Sequence, residues 1–285
     1  MDISRVCVVG GGTMGNGIAH VFALKGFEVT LVEAKKELAD KALETIRKNL
    51  ERQALKGAIK EDEMLAARGR VKLALAISGA RGFQFAVEAV SERMELKKQV
   101  FRDLDAAAAP GAVLATNTSS LPVTEIASVV KDPSRVIGMH FMNPVPLMKL
   151  VEVIRGLQTS DETHRTTLAL ALRLGKTPAS ARDFPGFVSN RVLMPMINEA
   201  AFCLMEGVST KEDIDAIMRL GMAHPMGPLQ LADYIGLDVC LAILDVLREG
   251  FGDSKYRACP LLKQMVQAGR LGVKSGSGFY EYPAK

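Results

Sequence analysis

Cysteine and long apolar runs are both scarce in this 285-residue chain. No uninterrupted apolar stretch approaches the roughly 20 residues that a bilayer-spanning helix needs, so no membrane partner is expected. The four cysteines, Cys7, Cys203, Cys240 and Cys259, lie far apart and form no CxxC pair. That spacing argues against a zinc site and against a disulfide framework, and no metal is expected. The opening MDISRVCVVGGG enters a strand at once, lacking the basic region and apolar core of a secretory signal. A cytoplasmic location is the expectation. The formal charge of +4 is mild, and no aromatic-basic interleaving is present. Both exclude nucleic acid as a partner and suit a small anionic ligand instead.

What is present is an ordinary globular composition, 48% hydrophobic and 24% charged. The length allows one large domain or two ordinary ones, each with a real core. Val6–Val9 reads as a strand, followed by Gly10, Gly11, Gly12, Thr13, Met14 and Gly15, with GxGxxG glycines at Gly10, Gly12 and Gly15. A helical pattern with Ile18, Val21 and Phe22 on one face runs to Gly26, and a second strand, Val29–Val32, delivers Glu33. GxGxxG alone also describes ordinary turns. Here it sits between a strand and a helix, and an acidic residue comes about 20 positions later, as in a dinucleotide-binding βαβ unit. Missing side chains let the backbone approach a pyrophosphate, and the helix amino end offers N–H groups. Glu33 would accept from the adenosine ribose and repel a 2′-phosphate, which favours NAD over NADP; Lys35 and Lys36 weaken that preference.

Residues 37–56 read as an amphipathic helix with Ala39, Leu43, Ile46 and Leu50 inward. Lys48, Arg52 and Lys56 form a basic stripe: either a solvated face paired with Glu44 and Glu51, or a surface for a phosphate-rich ligand. Val71–Leu75 and Phe85–Val90 come next as strands, then Ser91 as the cap of a helix with Glu92 in its first turn. The strand Ala112–Thr116 opens into Asn117, Thr118, Ser119 and Ser120, a polar cluster suited to a ligand or to capping the next turn.

Two apolar runs, Val136–Met139 and Leu150–Ile154, read as adjacent strands joined by a loop with Pro144 and Pro146. His140 ends the first, and Glu152 interrupts the second, where an ionised carboxylate is costly unless paired. Together they would make an oriented acid/base pair. The alternative is a packed histidine and a carboxylate on a solvated edge. His164 and His20 read as surface residues and His224 as loop. Asp183-Phe184-Pro185-Gly186 breaks the pattern, and the remainder of the chain reads helical: Phe187–Glu206 bent at Pro195, a capping box at Ser209 and Glu212, and helices near Pro228–Tyr234, Val239–Arg248 and Leu261–Ala268. Asn190 is expected in the first turn of the long helix. The fold class is therefore α/β: a Rossmann-type, mostly parallel sheet over residues 1–185, then a smaller all-helical domain over 186–285.

VVGGGTMGNGIA, ATNTSSLPVTEIAS, VIGMHFMNPVPLMKLVEVIRG, DFPGFVSNRVLMPMINEA, HPMGPLQLADYIGLDV and GVKSGSGFYEY together resemble the NAD-dependent 3-hydroxyacyl-CoA dehydrogenase family, in order and over nearly the whole chain. The resemblance implies NAD as cofactor and reversible oxidation of a short-chain 3-hydroxyacyl-CoA, while the apolar character of the helical second domain makes a homodimer the expectation. The resemblance also implies that His140 and Glu152 are the catalytic pair and that Ser119 and Asn190 serve catalysis and substrate. Arg52 and Lys56 fall where the family's basic helix meets CoA. Gly10, Gly12, Thr13, Met14, Gly15, Glu33, Glu92, Lys97, Asn117 and Asn143 fall on the cofactor side, Asn143 also helping to fix the histidine and acyl chain. Glu33 replaces the more usual aspartate, and Met142 a second phenylalanine. Two alternatives stand beside this reading. A hydroxy-acid or sugar-acid dehydrogenase without CoA predicts that removing charge at Arg52 and Lys56 leaves KM unchanged. A non-enzymatic NAD-binding protein predicts dinucleotide binding without turnover.

Overall fold

β-Branched and other apolar residues fill most positions in the middle of the sheet, where both faces are covered. In the computed structural model, which describes residues 3–283, Arg5–Val9 forms β1 and is buried from Val6 onward. The chain continues through α1 (Thr13–Leu24), β2 (Glu28–Val32), α2 (Lys36–Leu55), α3 (Glu61–Arg70), β3 (Val71–Ala74), β4 (Phe85–Glu88), α4 (Met94–Ala107) and β5 (Val113–Thr116). Then come α5 (Val123–Ala127), β6 (Val136–Phe141), β7 (Leu150–Arg155), α6 (Asp161–Arg173) and β8 (Thr177–Arg182). The eight strands lie in the order β3-β2-β1-β4-β5-β6-β7-β8. All neighbours are parallel except β6 and β7. β1 has β2 on one side and β4 on the other, so the strand order reverses at its carboxyl end, where open α/β sheets take their ligands.

One face of the sheet packs Leu31, Phe85, Met139 and Phe141 against Ile18 and Phe22 of α1. The Phe22 and Phe27 rings meet edge-on with centroids 5.3 Å apart. Each such buried side chain contributes about 1.5–3 kcal/mol relative to exposure. α1 is central enough to be buried on nearly every side, and His20, expected on its surface, is 1% exposed with neither ring nitrogen hydrogen-bonded among the described residues. Burial pushes its pKa down, and the nearby Lys176 ammonium adds to that.

Other expectations shift by a residue or a turn. α4 starts at Met94 with Arg93 as its cap residue, so Ser91 is not the cap and Glu92 precedes the helix. Strand β4 ends at Glu88 rather than Val90. α3 and the exposed edge strand β8 add to the elements expected from the sequence.

The chain divides into two units between Asp183 and Phe184. The second is helical: α7 (Ser189–Met205), α8 (Lys211–Gly221), α9 (Pro228–Ile235), α10 (Leu237–Phe251) and α11 (Pro260–Gln267). α7 runs through Pro195 without ending. The cap of α8 is Thr210, whose hydroxyl accepts from the Asp213 N–H at 3.2 Å, in place of the expected Ser209. Leu229, Leu237, Leu244, Leu247 and Leu262 form its core. Two buried aspartates tie the segment 279–282 to that core. Asp215 accepts from the Leu229 and Gln230 N–H groups and the Tyr280 hydroxyl, and Asp233 from the Phe279 and Tyr280 N–H groups and the Tyr282 hydroxyl. Among the described residues no helix is long and apolar enough to cross a membrane.

Candidate active site

In the first unit the polar residues of the sequence motifs gather where the parallel strands end. Gly10 has φ +101°, and a Cβ there would stand 2.6 Å from the Ala89 carbonyl oxygen. A Cβ at Gly15 would fall on the Gly10 carbonyl oxygen, whereas one at Gly12 meets nothing within 4 Å. Gly10 and Gly15 thus close the turn onto α1, and Gly12 leaves open space before it. α1 starts there with no side-chain cap and no acidic residue in its first turn. Its amino end therefore keeps N–H groups and positive potential for an anion. Glu33 succeeds β2, and its Oε2 accepts from the Gly11 N–H at 2.9 Å, which holds the carboxylate beside the glycine turn. A cleft of about 900 Å³ opens along these residues, with Ala89–Ser91 and Asn143–Val145 also on its walls. Bare backbone, an uncapped helix start and an adjacent carboxylate fit the pyrophosphate and ribose of NAD.

β6 and β7 bring His140 and Glu152 opposite each other in antiparallel register. The side chains meet, Nδ1 to Oε2 at 2.9 Å, with His140 8% and Glu152 3% exposed. The carboxylate takes Nδ1 as its donor, which leaves Nε2 as the nitrogen for proton exchange. Gly138 lies on the same face two residues earlier, where a Cβ would meet Ile154 Cβ at 2.8 Å. Asn117 binds neighbouring backbone: its Oδ1 accepts from the Phe141 N–H at 2.9 Å, tying the end of β5 to the strand that carries His140.

The register aligns Glu88, Thr116 and Gly138 across β4, β5 and β6, so Glu88 and Thr116 share a face with His140. Glu88 is fully buried and accepts from Lys97 Nζ, Thr116 Oγ1 and the Val90 N–H, each at 2.7 Å. Lys97, 1% exposed, also pairs with Glu92 at 3.2 Å. Glu92 Oε1 in turn accepts from Thr118 Oγ1 at 2.5 Å, the Ser119 N–H at 2.9 Å and the Ser120 N–H at 3.2 Å.

Of the residues expected on the cofactor side, Gly10, Gly12, Thr13, Glu33 and Asn143 line the cleft. Met14 packs against the core, Gly15 is buried in the turn, and Lys97 lies wholly within its ion pairs. Ser119 is half-buried beside Glu92. Asn190 lies in the second unit, buried in the first turn of α7. On α2, Lys48 pairs with Glu44 at 3.5 Å, while Glu51 turns to Arg68 of α3. Arg52 and Lys56 are exposed, with no ion pair among the described residues. Beside Leu38 and Ala42, the polar residues of α2 that line the cleft are Lys41, Thr45 and Asn49, which keep the same four-residue spacing. That spacing was the signal that would have found them. Glu88 was also legible, as a carboxylate inside an apolar strand.

Residues 5–184 match the family model for the NAD-binding domain of 3-hydroxyacyl-CoA dehydrogenase, and residues 186–282 match its C-terminal domain. The chain is 53% identical to a probable 3-hydroxybutyryl-CoA dehydrogenase of Bacillus subtilis, covering all of this chain and 99% of that protein. It is 48% identical to the 3-hydroxybutyryl-CoA dehydrogenase of Bradyrhizobium diazoefficiens, covering 98% and 96% of the two. Among solved structures it is similar to an (S)-3-hydroxybutyryl-CoA dehydrogenase from Ralstonia eutropha, with 44% identity, a TM-score of 0.97, and 99% and 100% coverage. With both units matched over almost their full length, this chain belongs to the 3-hydroxyacyl-CoA dehydrogenase family.

Proposed function

We propose that the protein oxidises a short-chain (S)-3-hydroxyacyl-CoA, 3-hydroxybutyryl-CoA, reversibly to the 3-ketoacyl-CoA with NAD. The observation that carries this reading is the buried His140–Glu152 pair, set at the strand ends in the unit that also holds the dinucleotide cleft. Relatives at 48–53% identity bear the name of that activity. When bound, NAD supplies the hydride acceptor, and NADH the donor. His140 Nε2 takes the C3 hydroxyl proton in oxidation and returns it in reduction. Glu152 holds the ring in the tautomer with hydrogen on Nδ1 and stabilises the imidazolium that forms. Such a positioned acid/base accelerates reaction roughly 10²–10⁴-fold.

Ser119 and Asn190 are assigned to the substrate's C3 oxygen and thioester, Asn143 to the acyl chain beside the histidine, and Arg52 and Lys56 to the CoA nucleotide. Residues 1–185 serve NAD, and 186–285 serve substrate and dimerisation. Exposed Val192, Ile217 and Leu220 on α7 and α8 support a homodimer through the helical unit. The cytoplasm, where NAD and acyl-CoA are both at hand, is the location this reading expects.

The test is NADH oxidation measured side by side with acetoacetyl-CoA and free acetoacetate. Turnover of the thioester alone is expected, and activity on the free acid alone overturns the assignment. His140→Ala should keep NADH binding and lose turnover by roughly 10²–10⁴-fold.

A further inference from the structure

Lys176 stands between α6 and β8, where backbone bonds already fix the chain. Its own N–H donates to the Ala171 carbonyl at 3.0 Å, and the Thr177 N–H to the Lys149 carbonyl at 2.8 Å. Its side chain nevertheless turns inward and is 7% exposed. A lysine is almost never buried so deeply unless something pairs with its charge. Among the described residues Lys176 makes no ion pair, and its polar contacts are with two carbonyl oxygens. The charged and titratable groups beside it are Lys25, a second cation, and His20, which burial holds neutral, so neither offers a counter-charge. What compensates the ammonium is the loop between the strands of His140 and Glu152: Nζ donates to the Val145 carbonyl and, at 2.8 Å, to the Met148 carbonyl. Asn143, Pro144, Val145 and Pro146 of that loop form part of the cleft wall, together with residues 10–13 of the glycine turn. The loop's own bonds run from the Leu147 and Met148 N–H groups to the Pro144 carbonyl, both at 3.0 Å, and shape it without anchoring it. On its other side Val145 packs over Gly17 of α1, where an added Cβ would stand 2.9 Å from Val145 Cβ.

We propose that Lys176 is a positioning residue for the cofactor: through the Val145 and Met148 carbonyls it presses the 143–148 loop against α1 and so holds Asn143 in the wall of the dinucleotide cleft. The proposal rests on the reading of Asn143 as a cofactor-side residue. A charged donor makes hydrogen bonds roughly twice as strong as a neutral one, so a single ammonium shared by two carbonyls is a firm anchor for a short loop. Removing it leaves two buried acceptors without their donor, and the loop must shift to find water. His140 and Glu152 are placed by the register of β6 and β7, which does not pass through Lys176. The loss therefore falls on cofactor binding rather than on proton transfer.

The experiment titrates NADH, followed by its fluorescence, into wild type, K176M, N143A and K176M/N143A. An unfolded fraction lowers the amplitude of such a titration and leaves Kd where it was, so a merely structural role does not move Kd. K176M keeps most of the side chain's length and removes its charge and donors, and the NADH Kd should rise about tenfold. With both substrates saturating, kcat for acetoacetyl-CoA reduction should stay within about threefold of wild type. In the N143A background K176M should add less than about threefold to Kd, because the residue through which it acts is gone. K176Q, neutral and too short to reach both carbonyls, carries the same test if K176M does not fold. An unchanged Kd in K176M overturns the proposal. So does an effect of about tenfold that persists in N143A, or a kcat that falls by as much. N143A separates the two readings. NADH binding unaltered in N143A removes Asn143 from the cofactor wall, whereas a weakened N143A beside an unaltered K176M removes this proposal alone.

Discussion

Replacing Glu152 by Gln retains the size of the side chain and removes its charge. With Nδ1 2.9 Å from Oε2, the charge centres of imidazolium and carboxylate lie about 4 Å apart, an attraction of about 4 kcal/mol at an effective dielectric of 20. A neutral hydrogen bond from the ring to the amide oxygen returns about 1 kcal/mol. The remaining 3 kcal/mol or so corresponds to roughly 10² in rate. The amide can also turn its NH₂ toward Nδ1, which moves the ring proton to Nε2 and removes the base, and this takes the loss toward about 10⁴. Both residues are buried, so solvent screens little of the effect. The assay is the initial rate of acetoacetyl-CoA reduction read by NADH absorbance, with NADH binding by fluorescence as control. The expected result is a kcat at least about 10²-fold lower, with the NADH Kd within about twofold of wild type. A kcat within about threefold of wild type would refute the claim that the carboxylate steers the imidazole.

Gly15→Ala drives a methyl group onto the Gly10 carbonyl oxygen, so it should weaken NADH binding, read by fluorescence titration, and destabilise the fold by about 1–3 kcal/mol. His20 is held neutral, its pKa lowered by burial, so the unfolded chain binds the proton more readily and stability falls as pH drops below the unfolded value of about 6.5. His20→Gln should flatten that loss, which approaches about 1.4 kcal/mol per pH unit, in urea titrations at pH 7.5 and 5.5. Parallel slopes in the two proteins would discard this explanation. R52Q/K56Q should raise the KM for acetoacetyl-CoA severalfold with kcat little changed, and the gap should close as salt rises. An unaltered KM removes α2 from the CoA site.

The central pair was legible because polar residues interrupting apolar strands demand partners, and an antiparallel register of two short strands supplies one. Glu88 carried the same signal inside FAVE, but its partner Lys97 lies in a helix whose start was misplaced, so the network stayed hidden. Local chemistry misled wherever a cap was unorthodox. α3 begins behind Lys60, with Glu63 reaching back to the Lys60 N–H at 2.8 Å, and a lysine is no signature for a helix start. β8 reads TPASAR, too short of apolar residues to register as a strand, because it lies at the exposed sheet edge. His20 was misjudged because periodicity assigns one face to the core, while α1 is covered on almost all sides.

The two aspartates inside the helical unit set a condition on how the protein comes into being. Asp233 finds three donors, and Asp215 one, in residues 279–282, 46 to 65 positions further along the chain. A nascent polypeptide halted before Phe279 therefore carries Asp233 without these three donors and Asp215 without the Tyr280 hydroxyl. Whatever α7 to α11 assemble before that moment is provisional, and translation must run to Tyr282 before this half can lock.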